Sequence, residues 1–76
     1  MKSVEAIELI VQEFGRASKS NPPFLSLEEG FFSILEEVDK LTDVTRGDTE
    51  ILNKELIKDA AIKTAANAFR FLVDLC

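Results

Sequence analysis

The chain has 76 residues, 46% of them hydrophobic and 30% charged, with a formal net charge of −5 and a pI near 4.6. A chain this short makes a single domain, residues 1–76, and buries only about 60% of its unfolded surface, so its core alone is marginal. One cysteine, Cys76, excludes an intramolecular disulfide, and the acidic balance argues against nucleic acid as a partner. No apolar run reaches the roughly 18 to 20 residues that span a bilayer, and no basic, apolar leader is evident. A cytoplasmic protein without membrane contact is therefore expected.

Ser3 is placed as the N-cap of a first helix that runs to about Phe14, with Val4, Ile7, Val11 and Phe14 at helical spacing. Gly15 is expected to end it, and residues 15–23, closing on Pro22-Pro23, read as a loop. The second helix has a sharper start. Ser26 followed by Glu29 is a capping box, and Leu27, Phe31, Ile34, Leu35, Val38 and Leu41 recur at the spacing of an apolar stripe. Gly30 inside that helix costs about 1 kcal/mol relative to alanine, which points to close packing against a neighbouring backbone.

Arg46-Gly47 is expected to close helix two, with Asp48 or Thr49 capping a third helix from about Thr49 to Leu75. So short a connection makes the two helices antiparallel neighbours. The middle of helix three is rich in alanine, whereas Phe69, Phe71, Leu72, Val73 and Leu75 cover nearly its whole circumference beyond Ala68. A helix that is apolar all round must be buried all round. Two short neighbours cannot do that alone, so a second subunit is expected, as a dimer or a tetramer.

The chain has no histidine, tryptophan or tyrosine, which removes imidazole bases and the usual zinc sites and leaves carboxylates to carry any chemistry. Magnesium, which takes oxygen ligands from a few carboxylates, water and phosphates, is the cofactor such groups would hold. Arg70 is a candidate phosphate contact, although an exposed ion pair with Asp74, four residues later, is the simpler role.

Residues 24–41 resemble the second helix of MazG-like all-α nucleoside triphosphate pyrophosphohydrolases, through Phe24, Ser26, Glu29-Gly30, Ile34-Leu35, Glu36-Glu37 and Asp39. Ala65-Ala66, Ala68, Arg70-Phe71 and Asp74-Leu75 are similar to the closing segment of that family. The resemblance spans residues 22–75. It implies an all-α antiparallel hairpin plus an N-terminal helix, a four-helix-bundle-type core completed by dimerisation, a nucleotide as ligand and Mg²⁺ on helix-borne acids.

Three of the positions that the resemblance assigns to metal binding depart from it. Lys40 stands where the Glu-Glu-x-x-Glu element has its last acid, and the second acidic element falls on Ala60 and Lys63. The five positions Glu36, Glu37, Lys40, Ala60 and Lys63 carry two negative and two positive charges, a sum of zero. An ammonium about 4 Å from a divalent ion costs on the order of 8 kcal/mol at an effective dielectric near 20. No resident cofactor is therefore expected. The lysines would fill the place of the cation, pairing with Glu36, Glu37 and Asp59, and Glu36–Lys40 and Asp59–Lys63 are i, i+4 pairs in the favourable acid-first order. If activity persists, Mg²⁺ would require a rearranged site drawn from Glu36, Glu37, Asp39 and Asp59. A non-catalytic oligomeric binding or structural module is the leading expectation, and a Mg²⁺-dependent pyrophosphohydrolase is the alternative.

Overall fold

The computed structural model describes residues 1–46 and 54–76. Those residues form three helices, α1 (Ser3–Ser20), α2 (Leu27–Thr45) and α3 (Lys54–Leu75), and no strand. The all-α class expected from the sequence is what is found. The expected caps at Gly47, Asp48 and Thr49 lie outside the described residues.

Two expectations about α1 need correction. Ser3 is its first helical residue, preceded by Lys2 as N-cap with no side-chain capping bond. Gly15 does not end it, because the helix continues for five more residues. Glycine lowers helix stability by only about 1 kcal/mol, and Arg16 to Lys19 are all tolerated in helices. The stop comes from Pro22, which forces Asn21 into extended geometry (φ −131°, ψ 143°), while the Asn21 backbone N–H donates to the Ala17 carbonyl at 2.9 Å.

Helix α2 starts as the sequence indicates. The Glu29 N–H donates to the Ser26 hydroxyl oxygen at 3.1 Å. The Glu29 carboxylate reaches back one residue further than a standard capping box, accepting from the Leu25 N–H at 3.1 Å.

Helix α3 lies in the middle. It packs against both α1 and α2, which share no backbone contact with each other among the described residues. Phe24 before α2 bonds to Asp74 near the end of α3, and Asn67 donates to the Ser33 carbonyl, so α2 and α3 are antiparallel. Phe14 meets Phe69 edge-to-face with ring centroids 4.7 Å apart, whereas Met1 and Ala6 lie near Lys58 and Ala61, so α1 runs parallel to α3. The result is a slab of 41 × 27 × 19 Å.

The core of this slab is thin. Among the described residues Ala17, Phe24, Ala60 and Ala66 are its buried apolar side chains, and no large side chain is fully buried. The apolar stripe of α2 does not pack on its neighbour along its whole width: Leu27, Phe31, Leu35 and Val38 remain exposed. Val4, Ile7 and Val11 on α1 are exposed too, because the side chains of α1 that meet α3 come from Ala6, Ile10 and Phe14. Gly30 does have a close neighbour, although it is side chain rather than backbone. A Cβ at Gly30 would lie 2.6 Å from Phe71 Cδ2 and 2.8 Å from Leu75 Cδ1.

Candidate functional site

The three helices leave a groove of about 660 Å³ along one face of the slab. Helix α1 contributes Glu13, Arg16 and Ala17; α2 contributes Glu29, Phe32, Ser33, Glu36, Glu37 and Lys40. The floor is the face of α3 that carries Lys63, Ala66, Asn67 and Arg70, and the 21–24 connection closes one end. Each set recurs every three or four residues, the period at which a helix returns to the same face.

The charges in this groove balance. Its four carboxylates, Glu13, Glu29, Glu36 and Glu37, are matched by Arg16, Lys40, Lys63 and Arg70, so the formal charge is zero on a chain of net −5. Lys40 Nζ lies 3.5 Å from Glu37 Oε1, a spacing of three residues and one of the acids expected to meet the lysines. Lys63 Nζ lies 3.1 Å from Asp59 Oδ2, the i, i+4 pair expected from the sequence. On α1 the Arg16 Nε donates to both Glu13 oxygens, at 2.8 and 2.7 Å. That hydrogen bond, and then the charge of Glu13, raise the Arg16 pKa above its ordinary value.

Two acids are sheltered while their cations stay in water. The Glu13 and Glu37 side chains are 12% and 14% exposed, against 61% and 65% for Arg16 and Lys40. Glu37 Oε2 is buried and has no hydrogen-bond partner.

Arg70 is placed differently from the sequence expectation. It is 4% exposed, its Nη2 donates to the Pro22 carbonyl at 3.0 Å, and its guanidinium carbon stands 4.4 Å from the Phe24 ring centroid. Asp74 does not pair with it, because that carboxylate accepts the Phe24 N–H at 3.1 Å. Burial of the guanidinium against the 22–24 segment replaces the exposed ion pair.

No protein-family model, curated protein or solved structure matches the chain. The assignment of chemistry therefore rests on the groove itself. Of the residues singled out from the sequence, Glu36, Glu37, Lys40, Lys63 and Arg70 line the groove, whereas Asp39, Asp59 and Ala60 do not. Ala60 is buried, with its carbonyl accepting from the Thr64 hydroxyl at 2.8 Å. Among the described residues no three acidic or cysteine side chains converge in a geometry that holds a metal ion. Within the groove Lys40 meets Glu37, whereas Lys63 meets Asp59, which lies outside it. Sequence reasoning missed Glu13 and Arg16, because ending the first helix at Gly15 placed Arg16 in a loop. The signal that would have found them is the Glu13, Ala17 spacing of four, which continues the α1 face past Gly15.

Proposed function

We propose that this chain is a non-catalytic, homo-oligomeric helical binding module of the MazG-like type, in which lysines take the place of a divalent cation. The observation that carries the reading is the position of Lys40 and Lys63, which line the same groove as Glu36 and Glu37. Two ammoniums beside two carboxylates cancel the field that would draw in Mg²⁺ and its nucleoside triphosphate. The groove is then a neutral polar surface on an acidic protein, open to a ligand that presents both signs of charge.

One observation favours the alternative, a Mg²⁺-dependent pyrophosphohydrolase with a rearranged site. Glu37 Oε2 is sheltered and unpartnered, a situation that an added cation would relieve. Calorimetric titration of the purified protein with Mg²⁺ and Mn²⁺, with and without a non-hydrolysable nucleoside triphosphate, separates the two. The module reading expects no metal binding at submillimolar concentration. Binding in that range, with or without nucleotide, overturns it in favour of the enzyme.

A further inference from the structure

Of the four cations that line the groove, three hold a partner that lines it too. Arg16 holds Glu13, Lys40 holds Glu37 and Arg70 holds the Pro22 carbonyl, whereas Lys63 turns to Asp59, outside the groove. Asp59 is 61% exposed and sits on the same helix, so this is the kind of surface pair that adds little stability.

Across the groove stands a carboxylate in the opposite condition. Glu37 receives Lys40 on Oε1, at a long 3.5 Å, while Oε2 is buried without a hydrogen-bond partner. Helix register sets it opposite Lys63. Gly30 faces Phe71, and the Ser33 carbonyl accepts from Asn67, so one further turn along α2 and one turn back along α3 reach Glu37 and Lys63.

We propose that Lys63 is a movable cation shared between two carboxylates: it holds Asp59 when the groove is open, and swings inward onto Glu37 Oε2 to close the groove between α2 and α3. The inference deepens the reading of a groove in which lysines stand in for a divalent cation, and rests on it.

Reach permits the movement. Packed helices have axes about 8–10 Å apart, a gap that a flexible four-carbon stem can cross. Bond strength favours it, because an ammonium gives a carboxylate a charge-assisted bond roughly twice as strong as one from a neutral donor such as the Ser33 hydroxyl or the Asn67 amide. Desolvation opposes it only in part, since the Lys63 and Glu37 side chains are already reduced to 39% and 14% exposure. The outward pair gives up little, and the inward pair satisfies an oxygen that is costly to leave unpaired. A ligand with a cationic head would compete with Lys63 for Glu37 and return it to Asp59, so Asp59 sets how readily the groove opens.

Competitive acylation of the lysine amines of the full chain, in metal-free buffer and read by mass spectrometry, tests this, with Lys19 in the last turn of α1 as the reference. A lysine held by a carboxylate acylates slowly. Glu37→Gln is expected to raise the rate at Lys63 by at least about threefold, and Asp59→Asn to leave it within about twofold of wild type. Glu36→Gln removes the same charge from the same groove and is expected to act no more strongly than Asp59→Asn. A larger increase from Asp59→Asn than from Glu37→Gln overturns the proposal, because Lys63 then stays outward. Equal increases from Glu36→Gln and Glu37→Gln also overturn it, because the effect is then one of field rather than of pairing. Urea unfolding of Glu37→Gln, Lys63→Met and the double variant gives a second readout, with an expected interaction of at least about fivefold in the unfolding constant. Effects that multiply to within about twofold of independence overturn the pairing and leave Oε2 to a neutral donor or an enclosed water. Metal binding by the wild-type chain would remove the module reading, whereas the ranking of Glu37 against Asp59 is decided by the labelling in either case.

Discussion

The Arg70 guanidinium stands over the Phe24 ring with its central carbon 4.4 Å from the ring centroid, while Nη2 donates to the Pro22 carbonyl. Helix α3 is thereby tied to the segment that joins α1 to α2. Arg70→Met keeps most of the apolar stem but removes a charge-assisted hydrogen bond and the ring contact, and is expected to cost about 2–3 kcal/mol. Arg70→Lys keeps the charge without the planar fork and is expected to recover only part of that loss. Urea unfolding at one fixed protein concentration measures both, and equal stability of Arg70→Lys and wild type would show that planarity is not what matters.

A second tie joins the same segment to α3, through the Phe24 N–H and Asp74 Oδ2. Asp74→Ala leaves a partly buried N–H without an acceptor and is expected to destabilise by about 1–2 kcal/mol. Asp74→Asn retains an amide oxygen at that place and should lose less than half as much. The comparison isolates the acceptor from the charge, since a purely electrostatic role would make the two variants equally poor.

Much of this arrangement was legible in the residues, and the exceptions have physical causes. Ser26, Glu29 and the Leu27–Leu41 periodicity located α2 because capping and amphipathicity are local properties. The end of α1 was misplaced because Gly15 is a weak breaker, and the three-dimensional advantages of continuing the helix, the burial of Ala17 and the Arg16–Glu13 pair, do not show in local propensity. Lys40 and Lys63 line one groove with Glu36 and Glu37, and of the two neighbouring acids it is Glu37, three residues away, that Lys40 meets. Pairs at three and four residues are nearly isoenergetic on a helix surface, so rotamer and burial decide between them. The fate of Arg70 was not readable at all, because Pro22 and Phe24 are 48 and 46 positions away in sequence.

The start of α2 should depend on both halves of its cap. Ser26→Ala removes the oxygen that accepts the Glu29 N–H and is expected to cost about 1 kcal/mol. Glu29→Ala removes the acceptor of the Leu25 N–H on an exposed segment, where water can substitute, and should cost only a few tenths. Circular dichroism melts rank the two, and a larger effect from Glu29→Ala would mean that its place in the groove contributes to stability beyond the cap.

The two helical glycines of the described residues should respond in opposite directions to the same substitution. A Cβ at Gly15 meets nothing within 4 Å, so Gly15→Ala gains the helix propensity of about 1 kcal/mol, enough to raise the melting temperature by several degrees in a domain of this size. At Gly30 the same gain is opposed by Phe71 Cδ2 at 2.6 Å, a distance that forces the ring or the helix to move. Overpacking of this kind typically costs about 1–3 kcal/mol. Because a phenyl ring fixed between α2 and α3 cannot retreat as the end of a leucine can, the clash is expected to prevail and Gly30→Ala to be net destabilising. Thermal unfolding of the two variants at matched concentration decides this, and a stabilised Gly30→Ala would mean that the α2–α3 contact has room that the close approach of Phe71 denies.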